Sequence, residues 1–442
     1  MDKRTSETVS ATLLQRGLSR RSALRWGGGL TAAAVGAGSL HRPMVRPDAT
    51  RAASDGEDDI VLGALLDLTG SWASLGITSQ AALEYAVEDL NAELESTGSP
   101  ARVRLLVEDT QLDSDVAEEK ARELADQGVR VFIGPQSSAE VADLMEYVDT
   151  SDLVLVSHGS TASELAIADD NLFRVVPPDI PEVEALVSLM TEDGIAVVVP
   201  MWLDDTGNRG LYDAMARVFP ERGGVVCDGV AYAAGTVDFT EALATLTEQV
   251  TEATAEHGAG AVAVYVATFD DVVPIFNHAS QAESLEGVRW YGGNGSALIE
   301  ALPAHSWAGA FAVETQFRCP LFGLGEDVRD RWEPIADRIE TETGQAPDAF
   351  SLAAYDAAWI VTLALLESED PEDVAGLKEA LAHTANAYDG VTGPMTLDEA
   401  GDRSTGDFDF WAIASANGGY EWQRAARFVA ATGEVVHDED TD

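Results

Sequence analysis

Basic residues, and lysine above all, are scarce in this sequence. The chain of 442 residues holds 27 Lys+Arg against 77 Asp+Glu, for a formal net charge of −50, and its lysines are Lys3, Lys120 and Lys378. A protein that binds nucleic acid contacts phosphates through a basic surface. We therefore expect no nucleic-acid partner.

Cysteine is also rare, with Cys227 and Cys319 as the two examples. Neither follows the apolar run near the N-terminus, so we expect no lipid-acceptor cysteine of the kind that anchors many exported proteins. The sequence leaves open whether the two thiols pair in an oxidising compartment or stay as separate buried thiols.

Familiar catalytic and cofactor motifs are missing from the sequence. The seven histidines show no metal-ligand spacing, no lysine completes a phosphate-binding loop, and no Gly-x-Ser-x-Gly elbow occurs. We therefore predict no metal ion and no cofactor.

Hydrophobic residues are plentiful, at 46% of the chain. This fraction is too high for a disordered acidic polymer, so the acidic residues belong to the surface of a globular protein. They are scattered along the chain rather than gathered in one tail. Such a surface suits a protein that stays soluble in concentrated salt, where charge repulsion is screened within about 3 Å at 1 M. We predict a halophilic source.

Most clustered basic residues lie before Trp26–Leu40, a short Gly/Ala-rich apolar run. This layout is typical of an export signal, and Ser19-Arg20-Arg21-Ser22-Ala23-Leu24 resembles the twin-arginine signal. We predict an export signal and linker over residues 1–54 and a protein that is extracellular or associated with the cell surface. The alternative is a disordered basic arm.

Short β-branched runs alternate with longer helical runs from residue 59 onward. This alternation predicts an α/β fold with mainly parallel sheets covered on both faces by helices. The predicted strands are Ile60–Leu66, Val103–Val107, Val131–Ile133, Leu153–Val156, Ala196–Pro200, Gly224–Val230, Ala261–Val266, Val288–Tyr291 and Gly309–Ala312.

Several short segments follow one another in an order that carries a family resemblance. They are Ile60–Glu88, Leu106–Asp113, Ile133–Ser138, Ser157–Ala162, Phe173–Asp179, Tyr355–Ala358 and Gly390–Pro394, followed by Asp398 and Gly401-Asp402. Their order and spacing resemble the branched-chain amino-acid-binding (Leu/Ile/Val-type) solute-binding proteins of ABC importers, which have the type I periplasmic binding fold. The similarity covers nearly everything from residue 59 to about residue 429.

The resemblance implies two Rossmann-like lobes joined by three crossovers that close over a ligand like a hinge. One lobe would comprise residues 59–178 plus 316–387, the other 179–315 plus 388–429, with an acidic tail over 430–442. The family has no cofactor and no catalytic activity. The expected partners are a small-molecule solute and the membrane permease and ATPase subunits of an importer.

Hydroxyl and glycine residues after the first-lobe strands are the first candidates for ligand contacts. Ser137 and Ser138 begin a predicted helix after one strand, and Gly159, Ser160 and Thr161 follow the next. Helix N–H groups and hydroxyls can bind a carboxylate, although a serine or threonine there can equally be a helix cap. The family resemblance favours Ser138 and Thr161 as contacts.

Ser71 and Trp72 lie on the loop after the first strand. There the tryptophan either walls an apolar pocket or packs under its own loop.

Residues of the second lobe depart from the family pattern. Where amino-acid binders place a glutamate that pairs with the ligand ammonium, this chain has Asn294. An amide does not supply the negative charge that offsets a desolvated ammonium. Asp179, or an acid in the segment Thr268-Phe269-Asp270-Asp271, is the alternative source of charge; each of these acids can also be a surface residue or a helix cap.

Two other functions stay open at this point. The first is a ligand-sensing receptor subunit, which gene neighbourhood would distinguish from a transport protein. The second is a secreted α/β hydrolase, which needs a nucleophile with a base in reach, and His158 is the histidine near the predicted cleft.

Overall fold

The computed structural model describes residues 59–438, except for 369, 371, 405 and 417. The predicted export signal over residues 1–54 lies outside the described residues. The described chain forms two lobes, each built on its own sheet.

The first sheet has five strands in the spatial order β2-β1-β3-β4-β5, and every pair in it is parallel. Its strands are largely buried apolar runs, as expected for a parallel sheet covered on both faces. They are β1 (Asp59–Leu66), β2 (Arg102–Asp109), β3 (Val131–Ile133), β4 (Val154–Ser157) and β5 (Leu172–Arg174).

Six helices complete the first lobe: α1 (Ala73–Ser96), α2 (Ser114–Asp126), α3 (Ser138–Thr150), and the later α11 (Arg329–Thr343), α12 (Ala349–Glu367) and α13 (Val374–Ala387). Helix α12 is long and apolar enough to cross a membrane by length and composition, but 94% of that stretch is buried inside the protein. It packs against α1 and α13 and is the central helix of this lobe.

The second sheet has nine strands, of which β6, β9, β10 and β11 are parallel neighbours. Two short strands, β7 and β8, pair with β6 at one edge, while β14, β15 and β16 extend the other edge in antiparallel fashion. The strands are β6 (Val197–Leu203), β7 (Val225–Val226), β8 (Val230–Tyr232), β9 (Val262–Ala267), β10 (Arg289–Gly292), β11 (Arg318–Phe322), β14 (Phe408–Ala416), β15 (Gly419–Val429) and β16 (Glu434–His437).

Helices cover this second sheet as well. They are α4 (Asp179–Glu192), α5 (Thr206–Glu221), α6 (Thr240–His257), α7 (Val272–Ala279), α8 (Glu283–Glu286), α9 (Ala301–Ala304) and α10 (Ser306–Glu314). A separate two-stranded ribbon, β12 (Asp389–Gly390) with β13 (Gly393–Pro394), lies between α13 and β14. The predicted α/β class with parallel sheets is confirmed.

Three sequence predictions about this lobe are wrong in detail. Gly309–Ala312 lies inside helix α10 rather than in a strand, because its alanine-rich surroundings favour helix and Gly309 lets the Tyr420 ring pack closely. Residues 318–322 form β11 of the second sheet, so the lobe boundary expected at 316 falls after Phe322. Residues 434–437 of the expected tail form β16, since Gly433, with a φ of 69°, turns the chain back onto β15.

The chain passes between the lobes three times, after β5, after β11 and after α13. Arg403 contacts all three connections. Its guanidinium donates to the Val175 carbonyl and to Thr392, and it lies 4.4 Å from the centre of the Phe322 ring. Several of the segments that carry the family resemblance therefore meet at the hinge.

Asp356 belongs to another segment that carries the family resemblance, Tyr355–Ala358, and it also contacts a connection between the lobes. Its carboxylate accepts the backbone N–H groups of Val391 and Thr392, each at 2.9 Å, and a hydroxyl from Tyr388 at 3.0 Å. The central helix α12 thereby fixes the third connection between the lobes.

Candidate ligand-binding site

Side-chain hydrogen bonds to its own backbone hold the loop after β1 in place. Both carboxylate oxygens of Asp67 accept backbone N–H groups, from Gly70 at 2.6 Å and from Trp72 at 2.7 Å. The Gln136 side chain donates to the Trp72 carbonyl at 2.9 Å. Burial raises the pKa of Asp67 to about 6 in spite of these bonds. The loop is therefore a preformed platform at the carboxyl end of the first sheet, where open α/β sheets bind ligands.

The two predicted serines after β3 have different roles. Ser137 is the N-cap of α3: it accepts the Glu140 N–H at 3.2 Å and donates to the Glu140 carboxylate at 2.8 Å. The Ser138 hydroxyl accepts the backbone N–H groups of Thr161 and Ala162, both at 3.2 Å. Ser138 thus holds the loop after β4 in position.

That loop, residues 159–161, lies tightly against its neighbours. A Cβ on Gly159 would be 2.8 Å from the Gln136 carbonyl, so only glycine allows this approach. The Ser160 hydroxyl lies 2.9 Å from that of Ser138. Thr161 is 5% exposed, and its hydroxyl points toward the second lobe. The structure therefore brings Ser138, Gly159, Ser160 and Thr161 together, and their role as ligand contacts stays a prediction.

The second lobe reaches the same place through Asn294, just after β10. Its amide nitrogen lies 3.4 Å from the Thr161 hydroxyl and donates to Glu182 Oε2 at 2.6 Å, while its backbone N–H donates to Glu182 Oε1 at 3.0 Å. Glu182 is 2% exposed, and burial raises its pKa well above the ordinary value. The Glu182 carboxylate therefore contacts the same Asn294 amide that lies next to the Thr161 hydroxyl.

Asp179 begins helix α4 beside this cluster. Its backbone N–H donates to the Thr161 carbonyl at 2.8 Å, and its side chain is fully buried with no hydrogen-bond partner for either carboxylate oxygen. Burial raises the pKa of Asp179 to about 6, although the nearby Thr161 hydroxyl and the Arg174 charge act in the opposite direction.

Aromatic residues close the other side of the cleft. Trp72 of the first lobe stacks on Phe269 of the second, with ring centres 4.2 Å apart and 18° between planes. The neighbouring Ser74 hydroxyl donates to Asp270 at 2.8 Å, and the Asp270 N–H donates to the Ser71 carbonyl at 3.1 Å. Trp72 is thus both packed against its lobe and part of the wall between lobes.

The lobes are closed at this point. The space between Trp72, Ser74 and Leu298 amounts to about 10 Å³, room for no more than one water molecule. Thr268, also a predicted contact, is fully buried, and its hydroxyl is hydrogen-bonded to that of Tyr232. A solute larger than water therefore does not fit beside Trp72 while the lobes have this arrangement.

A larger groove of about 700 Å³ lies to one side of this cleft, between β15 and the start of α12. It holds none of the predicted contact residues. Its arginines are already paired: Arg329 with Glu333, Arg424 with Asp438 and Arg427 with Asp409. The strand ends, where buried polar groups converge, are therefore the better candidate site.

His158 bears on the hydrolase alternative. It is fully buried, neither ring nitrogen has a hydrogen-bond partner, and burial lowers its pKa to about 3. A general base needs a hydrogen bond to the nucleophile it activates. The structure gives His158 no such partner.

Sequence reasoning missed Glu182 and the Ser74–Asp270 hydrogen bond. Glu182 lies three residues after Asp179 on α4, so the two face the same side of the helix, which is a signal that the sequence contains. Ser74 lies on a helix turn that meets Asp270 only through the closure of the lobes. Among the described residues, no group of three or more His, Cys, Asp or Glu side chains is placed to hold a metal ion.

This fold and this interlobe site define a class of two-lobed binding protein. The chain belongs to the periplasmic binding protein family, whose model matches residues 59–419. An uncharacterized protein of Methanocaldococcus jannaschii is 24% identical over 401 residues, which are 86% of this chain and 92% of that protein.

Solved structures with the same fold include three binding proteins at 18% identity and a TM-score of 0.65, each covering 86% of this chain. They are a leucine-binding protein of Thermotoga maritima, a branched-chain amino acid binding protein of Streptococcus pneumoniae in complex with isoleucine, and a solute-binding protein of R. palustris in complex with benzoate. The alignments cover 99%, 99% and 98% of those chains.

Proposed function

We propose that this protein is an extracytoplasmic solute-binding protein of an ABC importer. It captures a small polar solute, such as an amino acid or an amide, between its lobes and delivers it to permease and ATPase subunits. It does so by hinge closure and without chemical conversion of the solute.

One observation carries this proposal: the carboxyl ends of the strands of two separate sheets meet, and Asn294 of one lobe touches Thr161 of the other at 3.4 Å. Polar groups that converge from two lobes grip a solute only in the closed state, so binding and closure are coupled. The family supports a binding role, and the unpartnered His158 gives no support to hydrolysis.

Thermal unfolding in multimolar salt, with amino acids, amides, urea and short carboxylates added one at a time, tests solute capture. A true ligand raises the melting temperature by mass action. Thr161→Ala should weaken binding of that ligand by about 1–3 kcal/mol, because the ligand group that pairs with the Thr161 hydroxyl is then buried without a hydrogen-bond partner. Thr251→Ala, on the exposed side of α6, is the matched control and should leave affinity unchanged.

Closure has its own readout. Trp72 is 4% exposed and stacked on the opposite lobe, so its fluorescence should change when the lobes part. The solute-dependent signal should disappear in Trp72→Phe while binding remains measurable by calorimetry. A ligand that binds with no such change would contradict the hinge, and no binding across the whole panel would contradict solute capture.

A further inference from the structure

The first sheet has an open strand edge. Strand β2 pairs with β1 on one side, and no described strand pairs with its other side. The Asn91 side chain accepts the backbone N–H of Val103 at 2.9 Å and donates to its carbonyl at 3.0 Å, so Val103 directs its backbone groups away from β1. Backbone groups alternate between the two sides of a strand. Leu105 and Val107 therefore direct theirs to the same open side.

Leu105 and Val107 leave four backbone groups open on this edge. Among the described residues, no group accepts from their N–H groups on that side or donates to their carbonyls. Their side chains, and that of Leu106 between them, are half-buried. No proline or glycine interrupts β2, so nothing in the strand itself prevents further pairing. A strand edge with free N–H and C=O groups is a template for a strand of another chain.

The sequence of this edge is complementary to itself. Residues 104–108 have a basic residue at one end, an acidic residue at the other and three apolar residues between them. An antiparallel pairing of two copies centred on Leu106 places Arg104 of each copy opposite Glu108 of the other. Opposite charges that face each other across two strands stabilise their pairing.

The same register also pairs the open backbone groups. Leu105 of each copy becomes the direct partner of Val107 of the other, and such a pair exchanges both of its N–H to carbonyl hydrogen bonds. All four open groups of each copy are then bonded. Val103 keeps its bonds to Asn91, which end the pairing on that side. A second copy of this chain therefore fits the edge in both hydrogen bonding and charge.

The charged side chains at the two ends of this pairing already have neighbours in their own copy. Arg104 lies 3.8 Å from Asp59, and Glu108 lies 3.4 Å from Lys120. Contact between copies therefore joins each charge to a network, and networks contribute more than isolated exposed pairs.

Helix α1 explains why the pairing needs salt. Glu84, Glu88 and Glu95 share a helix face with Asn91 by their spacing, so they lie beside the open edge, and all three are exposed. Pairing brings these acids, and two chains with a net charge of −50 each, close together. Their repulsion is screened within about 3 Å at 1 M salt. We therefore expect association in concentrated salt.

We propose that two copies of this chain associate edge to edge through β2, so that their first sheets join into one continuous sheet. Strand β2 lies at the opposite edge of its sheet from β5, after which the chain first passes to the second lobe. The second lobes therefore stay outside the contact and remain free to move. This inference does not depend on the proposed function.

Charge exchange at the two ends of the pairing tests the proposal. Sedimentation velocity at about 1 M KCl, where long-range repulsion is screened, measures the dissociation constant of the dimer. The samples are the unmodified chain, Arg104→Glu, Glu108→Arg and an equimolar mixture of these two variants. Glu252→Arg is the matched control, since it makes the same change of charge as Glu108→Arg at an exposed position on α6. Hydrogen exchange of the β2 amides, above and below the dissociation constant, reports whether the edge itself is covered.

We expect the unmodified chain and Glu252→Arg to form dimers. Each single variant at the edge should raise the dissociation constant by about tenfold or more, because two opposite-charge pairs become two like-charge pairs. The mixture should dimerise again, since each acid of one variant then faces an arginine of the other, and this recovery also shows that both variants are folded. Exchange at Leu105 and Val107 should slow on dimerisation.

Other outcomes overturn the inference. A chain that stays monomeric at every protein and KCl concentration has no such contact. A dimer that survives both Arg104→Glu and Glu108→Arg, with unchanged exchange at Leu105 and Val107, is formed through another surface. Single variants that dissociate and do not associate when mixed would show that the substitutions act on something other than the pairing of these two residues.

Discussion

The buried ion pair between Arg174 and Asp402 should be a major source of stability at the hinge. Arg174 Nε and Nη2 donate to the two Asp402 oxygens at 2.6 and 2.5 Å, and both residues are 0% exposed. The remaining guanidinium nitrogen of Arg174, Nη1, donates to the Ala162 carbonyl at 2.6 Å. The ion pair therefore also anchors the loop that contains Thr161.

Asp402→Ala leaves the Arg174 guanidinium buried with the Ala162 carbonyl as its hydrogen-bond partner and with Asp179 as the nearby acid. Loss of one member of a buried pair costs about 3–5 kcal/mol, because the remaining charge is uncompensated. Glu118→Ala is the matched control: it removes a carboxylate from the Arg122–Glu118 pair, whose side chains are 55% and 41% exposed, and should cost at most about 1 kcal/mol.

Urea unfolding at fixed KCl concentration measures both losses. Salt screens exposed charges and leaves buried pairs nearly unaffected, so the Asp402→Ala loss should persist in multimolar KCl. The double variant Arg174→Met with Asp402→Leu should recover most of it, since apolar residues of similar volume can replace a buried pair. A loss for Asp402→Ala no larger than that for Glu118→Ala would refute this reasoning.

Three further predictions concern polar groups near the site. Burial raises the pKa of Glu140 from 4.5 to about 7. The free energy of unfolding should therefore fall by about 3 kcal/mol as the pH rises between these values, because the folded protein binds the proton more tightly than the unfolded chain does. Glu140→Gln should flatten this part of the pH profile of unfolding by urea, and a profile that does not change would contradict the assignment. Ser74→Ala removes a bond that joins the lobes, and should weaken solute binding by about 0.5–1.5 kcal/mol with little change in melting temperature. His158→Leu should leave hydrolysis of p-nitrophenyl acetate at the background rate; a measurable rate that this variant abolishes would restore the hydrolase alternative.

Much of the fold follows from local sequence pattern. The strands of the first sheet are short apolar runs flanked by helical segments, and period and length are enough to place most of them. Strand β5 was missed because Leu172–Arg174 has only two apolar residues before a buried arginine, whereas the equally short β3 is apolar throughout. Arg174 is paired with Asp402, which is 228 residues away in the sequence. The pattern of neighbouring residues therefore does not predict a buried arginine at this strand end.

The end of the chain was harder for a similar reason. Strand β11 contains Pro320 and is bordered by β14, which comes from beyond α13, so its assignment to a sheet depends on tertiary pairing. In Gly309–Ala312 the β-like alternation competed with the helix propensity of alanine, and the packing of Gly309 against Tyr420 favours the helix.

For the site, the sequence identified the loops better than the roles of their residues. Thr161 and Asn294 were expected near the ligand, and they lie in contact across the lobes. The hydroxyls of Ser137 and Thr268, expected at the same place, are bonded within their own lobes to Glu140 and Tyr232. A strand-end hydroxyl can serve a cap, a neighbouring loop or a ligand, and only the partner's position decides between these uses.

The large acidic excess explains why buried charge matters in this protein. If the chain functions in concentrated salt, as its composition predicts, an exposed carboxylate is screened within about 3 Å at 1 M and cannot distinguish a dilute solute from abundant inorganic cations. Glu182 and Asp179 are shielded from that solvent by both lobes. A binding protein that works in such a solvent therefore needs hydrogen-bond geometry, of the kind that the Asn294 and Thr161 contacts provide, as well as charge, because a polar solute can pair with several donors and acceptors at once where a bare ion cannot.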